Sequence, residues 1–179
     1  MPKLAQVDAT WTLFLDRDGV INERVMGGYV LHFNEFRFKQ GVLQGAKELF
    51  GKFGRVIVVT NQQCVAKGLL KESELTEIHR QMVEAFLQHG AKIDKVFAAL
   101  ERKEEAPYMR KPNPSMGKLA KEVFPEIDFT KSIMVGDTDS DLLFGQALGM
   151  KTVLIETEEK ISVQADIQIK ELSQLSEYI

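Results

Sequence analysis

Leu13-Phe-Leu-Asp-Arg-Asp-Gly-Val-Ile-Asn22 decides how the rest of the chain is read. An apolar run stops abruptly at Asp16, Arg17, Asp18 and Gly19. If the run is a buried strand, Asp16 and Asp18 fall on the same side, because strand side chains alternate with period two. Two carboxylates on one face repel unless a cation lies between them or one keeps a proton. A solvated turn after a strand would use Asp and Gly equally well, so the tetrapeptide gains meaning only from the rest of the chain.

Length and composition narrow the choices. The 179 residues suffice for a single domain spanning 1–179, with its core at about 11–156. A formal net charge of −3, with acids and bases interspersed, announces no polyanion-binding face, so neither nucleic acid nor a membrane is expected as partner. The single cysteine, Cys64, excludes an intramolecular disulfide and a cysteine-based structural zinc site. It reads as a small apolar residue in a reducing compartment. Met1 to Thr10 lacks a signal-peptide layout and no apolar run reaches membrane-spanning length, so a cytoplasmic location is expected. No feature of the sequence speaks to oligomeric state.

Outward from the opening stretch, strand and helix patterns alternate. Thr12 to Leu15 reads as the first strand. Asn22 to Phe38 is irregular, with Gly27-Gly28 and four aromatics (Tyr29, Phe33, Phe36, Phe38), which suits a flap or hairpin. Val42, Leu43, Ala46, Leu49, Phe50 and Phe53 form a helical stripe that Gly54 would end. Val56 to Val59 is a continuous β-branched run, expected of a strand covered on both faces, and it stops at Thr60-Asn61-Gln62-Gln63. A helix from about Glu72 to His89, a strand at Val96 to Ala99 and a charged loop from Glu101 to Met109 follow. Asn113-Pro114 reads as an N-cap and first helical position. Ser132 to Val135 is a strand ending in Gly136-Asp-Thr-Asp-Ser-Asp141; the next helix closes at Gly149, and Lys151 to Ile155 is a further strand. Glu171 to Tyr178 suggests a terminal helix. This alternation argues a doubly wound α/β domain with a mostly parallel sheet. Ligands of such sheets bind outside the carboxyl ends of the strands, where the clusters at Asp16, Thr60 and Asp137 all fall.

A phosphoryl group placed among those clusters finds every part it needs. Asp16 can attack phosphorus and form an aspartyl-phosphate. A cation must then offset the repulsion, and Asp16, Asp137 and a backbone carbonyl would make an oxygen site suited to Mg²⁺. Asp141, one helical turn after Asp137, could orient those ligands from behind. Thr60 and the Asn61 amide can donate to the transferring oxygens, and Lys111 can supply fixed positive charge. Asp18 can act as acid and then base if it holds a proton before the first step. Gly19 lets the chain turn tightly past the phosphate. Singly, each feature has a plain explanation: Thr60 ends a strand, Lys111 is solvated, and Asp137 to Asp141 caps a helix. Together, in this order and at these strand ends, the chemical reading prevails.

With these residues in hand, the chain from Thr12 to Ile155 resembles the haloacid dehalogenase-like superfamily. Its four motifs correspond to Asp16-x-Asp18-Gly-Val-Ile-Asn, Val58-Val-Thr60-Asn, Lys111-Pro and Gly136-Asp137-x-x-x-Asp141. The resemblance implies a Rossmann-like fold without a large cap domain and a Mg²⁺-dependent phosphomonoesterase. It gives catalytic roles to Asp16, Asp18, Thr60 and Lys111, and metal binding to Asp16, Asp18 and Asp137. Gly28-Tyr29-Val30, Phe36-x-Phe38-x-x-Gly41-Val42, Thr60-Asn61-Gln62 and Arg110-Lys111-Pro112 look like the branch holding heptose-bisphosphate and histidinol-phosphate phosphatases, the former closer. That branch implies substrate contacts at Gly28, Tyr29, Asn61, Gln62, Gln63 and Arg110, with a sugar bisphosphate preferred. Arg110 suits a second phosphate, because guanidinium binds phosphate in a bidentate fork.

One departure is large. Members of the branch commonly carry a zinc loop, Cys-x-His then Cys-x-Cys, before the Arg-Lys pair. Here Pro107 and Met109 stand at the last two of those places, and nothing near Ala98 to Leu100 can ligate zinc. His32, His79 and His89 are scattered, the last two reading as surface or packing residues on a helix, so no zinc is expected. Glu101, Glu104 and Glu105 could instead meet the amino group of histidinol phosphate, which keeps that substrate as the alternative. A receiver-type phosphoacceptor is disfavoured, since Val58-Val59-Thr60 offers no acidic acceptor. Without a cap the cleft should be open, closed only by the flap and its aromatics.

Overall fold

Leu13 and Leu15 face one side of a sheet and Phe14 the other, and all three are fully buried. They belong to β1 (Thr12–Leu15) of a computed structural model that describes residues 3–105 and 108–179. Five further strands follow: β2 (Arg55–Asn61), β3 (Lys95–Ala99), β4 (Ser132–Gly136), β5 (Lys151–Ile155) and β6 (Ile167–Ile169). They lie in the order β3-β2-β1-β4-β5-β6, and every pairing is parallel. Burial on both faces is why β1, β2 and β4 read as unbroken apolar runs.

The period-two alternation of those runs divides the core. Leu13, Leu15, Val56, Val58, Ile133 and Val135 pack under α1 (Val42–Phe50) and α2 (Glu72–Gln88). Phe14, Ile57, Val59 and Met134 pack under α3 (Ser115–Val123) and α4 (Asp139–Leu148). This is the doubly wound α/β arrangement, and it leaves the carboxyl ends of β1, β2 and β4 side by side. Leu15 pairs with both Val58 and Val135, and the Asp16 amide still donates to the Val135 carbonyl at 2.9 Å. Asp16 is therefore the first residue to leave the sheet.

Several boundaries differ from expectation, each for a local reason. α1 stops at Phe50 with Gly51 as its cap, although Phe53 stays in the core. Gly54 is needed for a close approach instead: its amide donates to the Trp11 carbonyl, and a Cβ there would sit 2.0 Å from the Ala9 carbonyl oxygen. α3 begins at Ser115, one residue after Pro114. Asn113 keeps its capping function, its Oδ1 accepting from the Ser115 amide at 3.0 Å and hydroxyl at 2.6 Å. The terminal segment is a 3₁₀ turn, Leu172–Glu177, rather than an α-helix, with Leu172 and Leu175 buried in the cluster that contains α1. β6 before it was not foreseen, since three residues carry too little periodicity to announce a strand.

The flap also differs. It is fixed at its base by isolated bridges pairing Asp18 with Asn22 and Asn22 with Phe38, and it holds one 3₁₀ turn, Phe33–Glu35. Its phenylalanines face inward. Phe36 lies 5.4 Å from Phe33 and 4.9 Å from Phe38, and Phe38 meets Phe86 of α2 at 5.8 Å, ring centre to ring centre. These rings anchor the flap to the core; of the four aromatics, Tyr29 faces the cleft.

Candidate active site

The strand ends open into a cleft of about 750 Å³, lined by Asp16, Asp18, Lys111 and Asp141 at its floor and by flap residues 24–30 along one wall. At the centre, the Lys111 ammonium donates to Asp16 Oδ1 at 2.8 Å, Asp141 Oδ1 at 2.6 Å and the Val59 carbonyl at 2.7 Å. Burial pulls a lysine toward neutrality, but Asp141 and Asp16 outweigh it and hold Lys111 above the usual lysine range. Lys111 reaches this position because its loop is clamped to β2. Asn61 Oδ1 accepts from the Lys111 amide at 2.9 Å, and Asn61 Nδ2 donates to the Lys111 carbonyl at 3.2 Å.

Asp137 and Asp141 flank the start of α4. Asp141 Oδ2 accepts from the Thr138 hydroxyl at 2.7 Å and the Thr138 amide at 3.1 Å, the reciprocal arrangement of a helix N-terminus. Its other oxygen takes Lys111. One carboxylate thus caps the helix and joins it to Lys111. Carboxylate oxygens of Asp16, Asp137 and Asp141 lie within 4.8 Å of one another. Burial raises Asp16 to about 7, with Asp141, Asp137 and Asp18 adding to it against Lys111. Burial likewise raises Asp137 to about 6, opposed chiefly by Arg24. Crowded, buried carboxylates beside limited positive charge fit a further cation, and all-oxygen donors suit Mg²⁺.

Asp18 faces differently from Asp16. Its Oδ1 accepts from Arg17 Nη2 at 2.9 Å and Asn22 Nδ2 at 2.9 Å, and its Oδ2 accepts from Gln62 Nε2 at 2.7 Å. Burial pushes Asp18 up, but the Arg17 charge and these three side chains prevail and hold it below the usual aspartate range. The condition set for an acid role, a proton held on Asp18 before the first step, is not favoured by these donors. Its carboxylate is committed to those donors, so what it can offer a metal is its carbonyl oxygen. Gly19 follows at φ 93°, and a Cβ there would stand 1.9 Å from Asp137 Oδ2. No other residue fits between the two strand ends.

Thr60 is buried, and its hydroxyl accepts from Gln62 Nε2 at 2.8 Å, leaving its own hydrogen to donate. Gln62, expected to touch substrate, is buried with its amide spent on Asp18 and Thr60; it does not line the cleft. Asn61 and Gln63 do. Gly28, Tyr29 and Arg110 also line it, and Arg110 Nη1 is buried without a hydrogen-bond partner among the described residues. The segment standing where a zinc loop would be is pinned by hydrogen bonds. The Lys103 amide donates to Gln63 Oε1 at 3.0 Å, Arg102 to the Ala66 carbonyl at 3.2 Å, and the Met109 amide to Glu101 Oε1 at 2.8 Å. Pro107 lies outside the described residues.

Three participants were missed. Arg17 is one of the largest fully buried side chains, and it joins Asp18 to His79, whose Nε2 accepts from Arg17 Nη1 at 3.0 Å. His79, expected at the surface or in packing, is thus a buried polar anchor. Arg24 donates to both oxygens of Asp137, at 2.7 and 3.1 Å. Arg17 and Asn22 sit inside the opening motif, where their spacing from Asp18 was the available signal; Arg24, in an irregular segment, had none.

The chain is similar in sequence and fold to known proteins. The family model described as HAD-hydrolase-like matches residues 108–171. A D-glycero-alpha-D-manno-heptose-1,7-bisphosphate 7-phosphatase of Campylobacter jejuni is 32% identical over 166 residues, covering 93% of this chain and 94% of that protein. A D-glycero-beta-D-manno-heptose-1,7-bisphosphate 7-phosphatase of Vibrio cholerae is 33% identical over 162 residues, covering 86% of each. The crystal structure of D,D-heptose 1,7-bisphosphate phosphatase from B. bronchiseptica, complexed with magnesium and phosphate, superposes with a TM-score of 0.83 at 26% identity, covering 93% of this chain and 96% of that one. The chain belongs to the haloacid dehalogenase-like hydrolases, among the phosphatases related to the D-glycero-D-manno-heptose-1,7-bisphosphate 7-phosphatases.

Proposed function

We propose that the chain, as one domain spanning 1–179, is a Mg²⁺-dependent phosphomonoesterase of the cytoplasm that removes one phosphate from a sugar bisphosphate. D-glycero-D-manno-heptose 1,7-bisphosphate is the preferred substrate. The observation that carries the reading is Lys111, held between Asp16 and Asp141 at the floor of the cleft. It aligns the Asp16 carboxylate and places fixed positive charge where a phosphoryl group must dock.

Asp16 attacks phosphorus, the bond to the sugar oxygen breaks, and Asp16 becomes an aspartyl-phosphate. Thr60 and the Asn61 amide donate to the transferring oxygens. Asp18 gives a proton to the departing sugar oxygen and later takes one from the water that hydrolyses the intermediate. It starts ionised beside Arg17, so the proton must be gained as substrate binds. The dianion's charge next to the carboxylate favours that gain. Asp16, Asp137 and the Asp18 carbonyl would hold Mg²⁺, with Asp141 braced behind them by Thr138. When bound, the ion offsets the repulsion between nucleophile and phosphate.

For the substrate, support comes from the names of the relatives and from Arg110, whose free donor in the cleft wall suits a second phosphate. The relatives include both anomers, so no anomer is assigned. Phosphate release from heptose 1,7-bisphosphate and from histidinol phosphate, measured side by side with Mg²⁺, tests the assignment. Faster turnover of the bisphosphate is expected; efficient hydrolysis of histidinol phosphate with none of the bisphosphate would overturn it.

A further inference from the structure

Arg24 engages the oxygens that the Mg²⁺ reading of the site requires. Its Nε and Nη2 donate to Asp137 Oδ2 at 3.1 Å and Oδ1 at 2.7 Å, and Nη2 also points at the Asp18 carbonyl oxygen at 3.3 Å. A guanidinium fork on a carboxylate takes a lone pair of each oxygen and sets a positive charge beside any ion bound there, so the arginine opposes the ion at Asp137. Resting on the metal assignment above, we propose that Arg24 is a tethered competitor for the divalent ion, which must displace it from Asp137 and the Asp18 carbonyl in order to bind.

Charge and exposure both single out this residue. Among the described residues, Asp16, Asp18, Asp137 and Asp141 are ion-paired by three cations: Arg17, Arg24 and Lys111. The side chains of Arg17 and Lys111 are each 1% exposed and locked into the core, whereas that of Arg24 is 30% exposed. Arg24 can leave without opening the fold. With Arg24 gone, four carboxylates face two cations and leave a net of two negative charges, the complement of one divalent ion. The tether itself is short and adaptable: Glu23 is held by its amide to the Arg37 carbonyl at 2.7 Å, and the turn that follows contains Gly27 at φ 68°. Release of the guanidinium therefore moves a side chain and at most one loop, the same loop that carries Tyr29 to the cleft. Arg24 would set the Mg²⁺ concentration at which the site fills, because an equilibrium that sequesters the binding-competent form weakens apparent affinity in proportion.

Calorimetric titration of the EDTA-treated, dialysed protein with MgCl₂, in the absence of any substrate, tests this. Arg24→Gln is expected to bind Mg²⁺ on the order of tenfold more tightly than the unaltered protein. Arg24→Lys, which keeps a charge but not the fork, should fall between them. Thermal melts with and without MgCl₂ should agree, the ion raising the melting temperature of Arg24→Gln more than that of the unaltered chain. Equal or weaker Mg²⁺ binding by both variants would overturn the competition and leave the metal site standing. No Mg²⁺ uptake by any of the three proteins would overturn the competition and the metal assignment together.

Discussion

Lys111 Nζ stands 2.8 Å from Asp16 Oδ1, joining residues 95 positions apart in the chain. Both are buried, so each is the other's condition for carrying charge at the floor of the cleft. Lys111→Met should abolish turnover. It should also destabilise the fold by about 3–5 kcal/mol, because Asp16 and Asp141 would lose their shared partner inside the protein. Urea denaturation followed by circular dichroism, beside a phosphate-release assay, checks both. A fully stable, active variant would refute the arrangement.

Gln62 offers a test of the corrected site. Its amide holds Asp18 and Thr60 and lies away from the cleft surface. Gln62→Leu should therefore lower kcat on the order of tenfold or more through Asp18, with little change in KM. A raised KM at unchanged kcat would return Gln62 to the role of a substrate contact.

Gly19 is constrained twice, by φ 93° and by the approach of Asp137. Gly19→Ala should cost roughly 1–3 kcal/mol from backbone strain alone. It should also push the Asp137 carboxylate aside, so that Mg²⁺ no longer raises the melting temperature. Thermal melts with and without MgCl₂ measure both effects.

His79 predicts a pH dependence. Burial first, and the Arg17 charge second, depress its pKa to about 3 against 6.5 for the free side chain. A depressed group contributes stability that is fully present above pH 6.5 and lost as the pH falls toward 3, because the unfolded chain takes up the proton first. His79→Gln keeps an acceptor for Arg17 and removes this titration. Between pH 6.5 and pH 5 the variant should gain on the unaltered protein by about 2 kcal/mol in unfolding free energy. A constant difference across that range would show that His79 does not stay neutral in the folded protein.

Much of this was legible in the sequence because the candidate site residues sit where regular patterns stop. Asp16, Thr60 and Asp137 end apolar runs, and β1, β5 and the Gly149 helix stop fell where expected. Gln62 was misjudged through the same periodicity that found its neighbours. The alternation of β2 continues past Val59, so Asn61 and Gln63 line the cleft while Gln62 turns inward to Asp18 and Thr60. The flap phenylalanines were misjudged because composition shows aromatic rings without showing which way they face. Arg24 and the Arg17–His79 contact were illegible, since both join distant segments and leave no local spacing to read.

The account rests on Asp16 as the nucleophile, and the covalent intermediate is its most direct test. Acid-quenched protein, sampled during turnover of heptose 1,7-bisphosphate with MgCl₂, would be digested and its peptides examined by mass spectrometry. One phosphoryl group on the peptide containing Asp16, absent from Asp16→Asn together with turnover, is the predicted result. Phosphorylation elsewhere, or an Asp16→Asn protein that still releases phosphate at the unaltered rate, would contradict it.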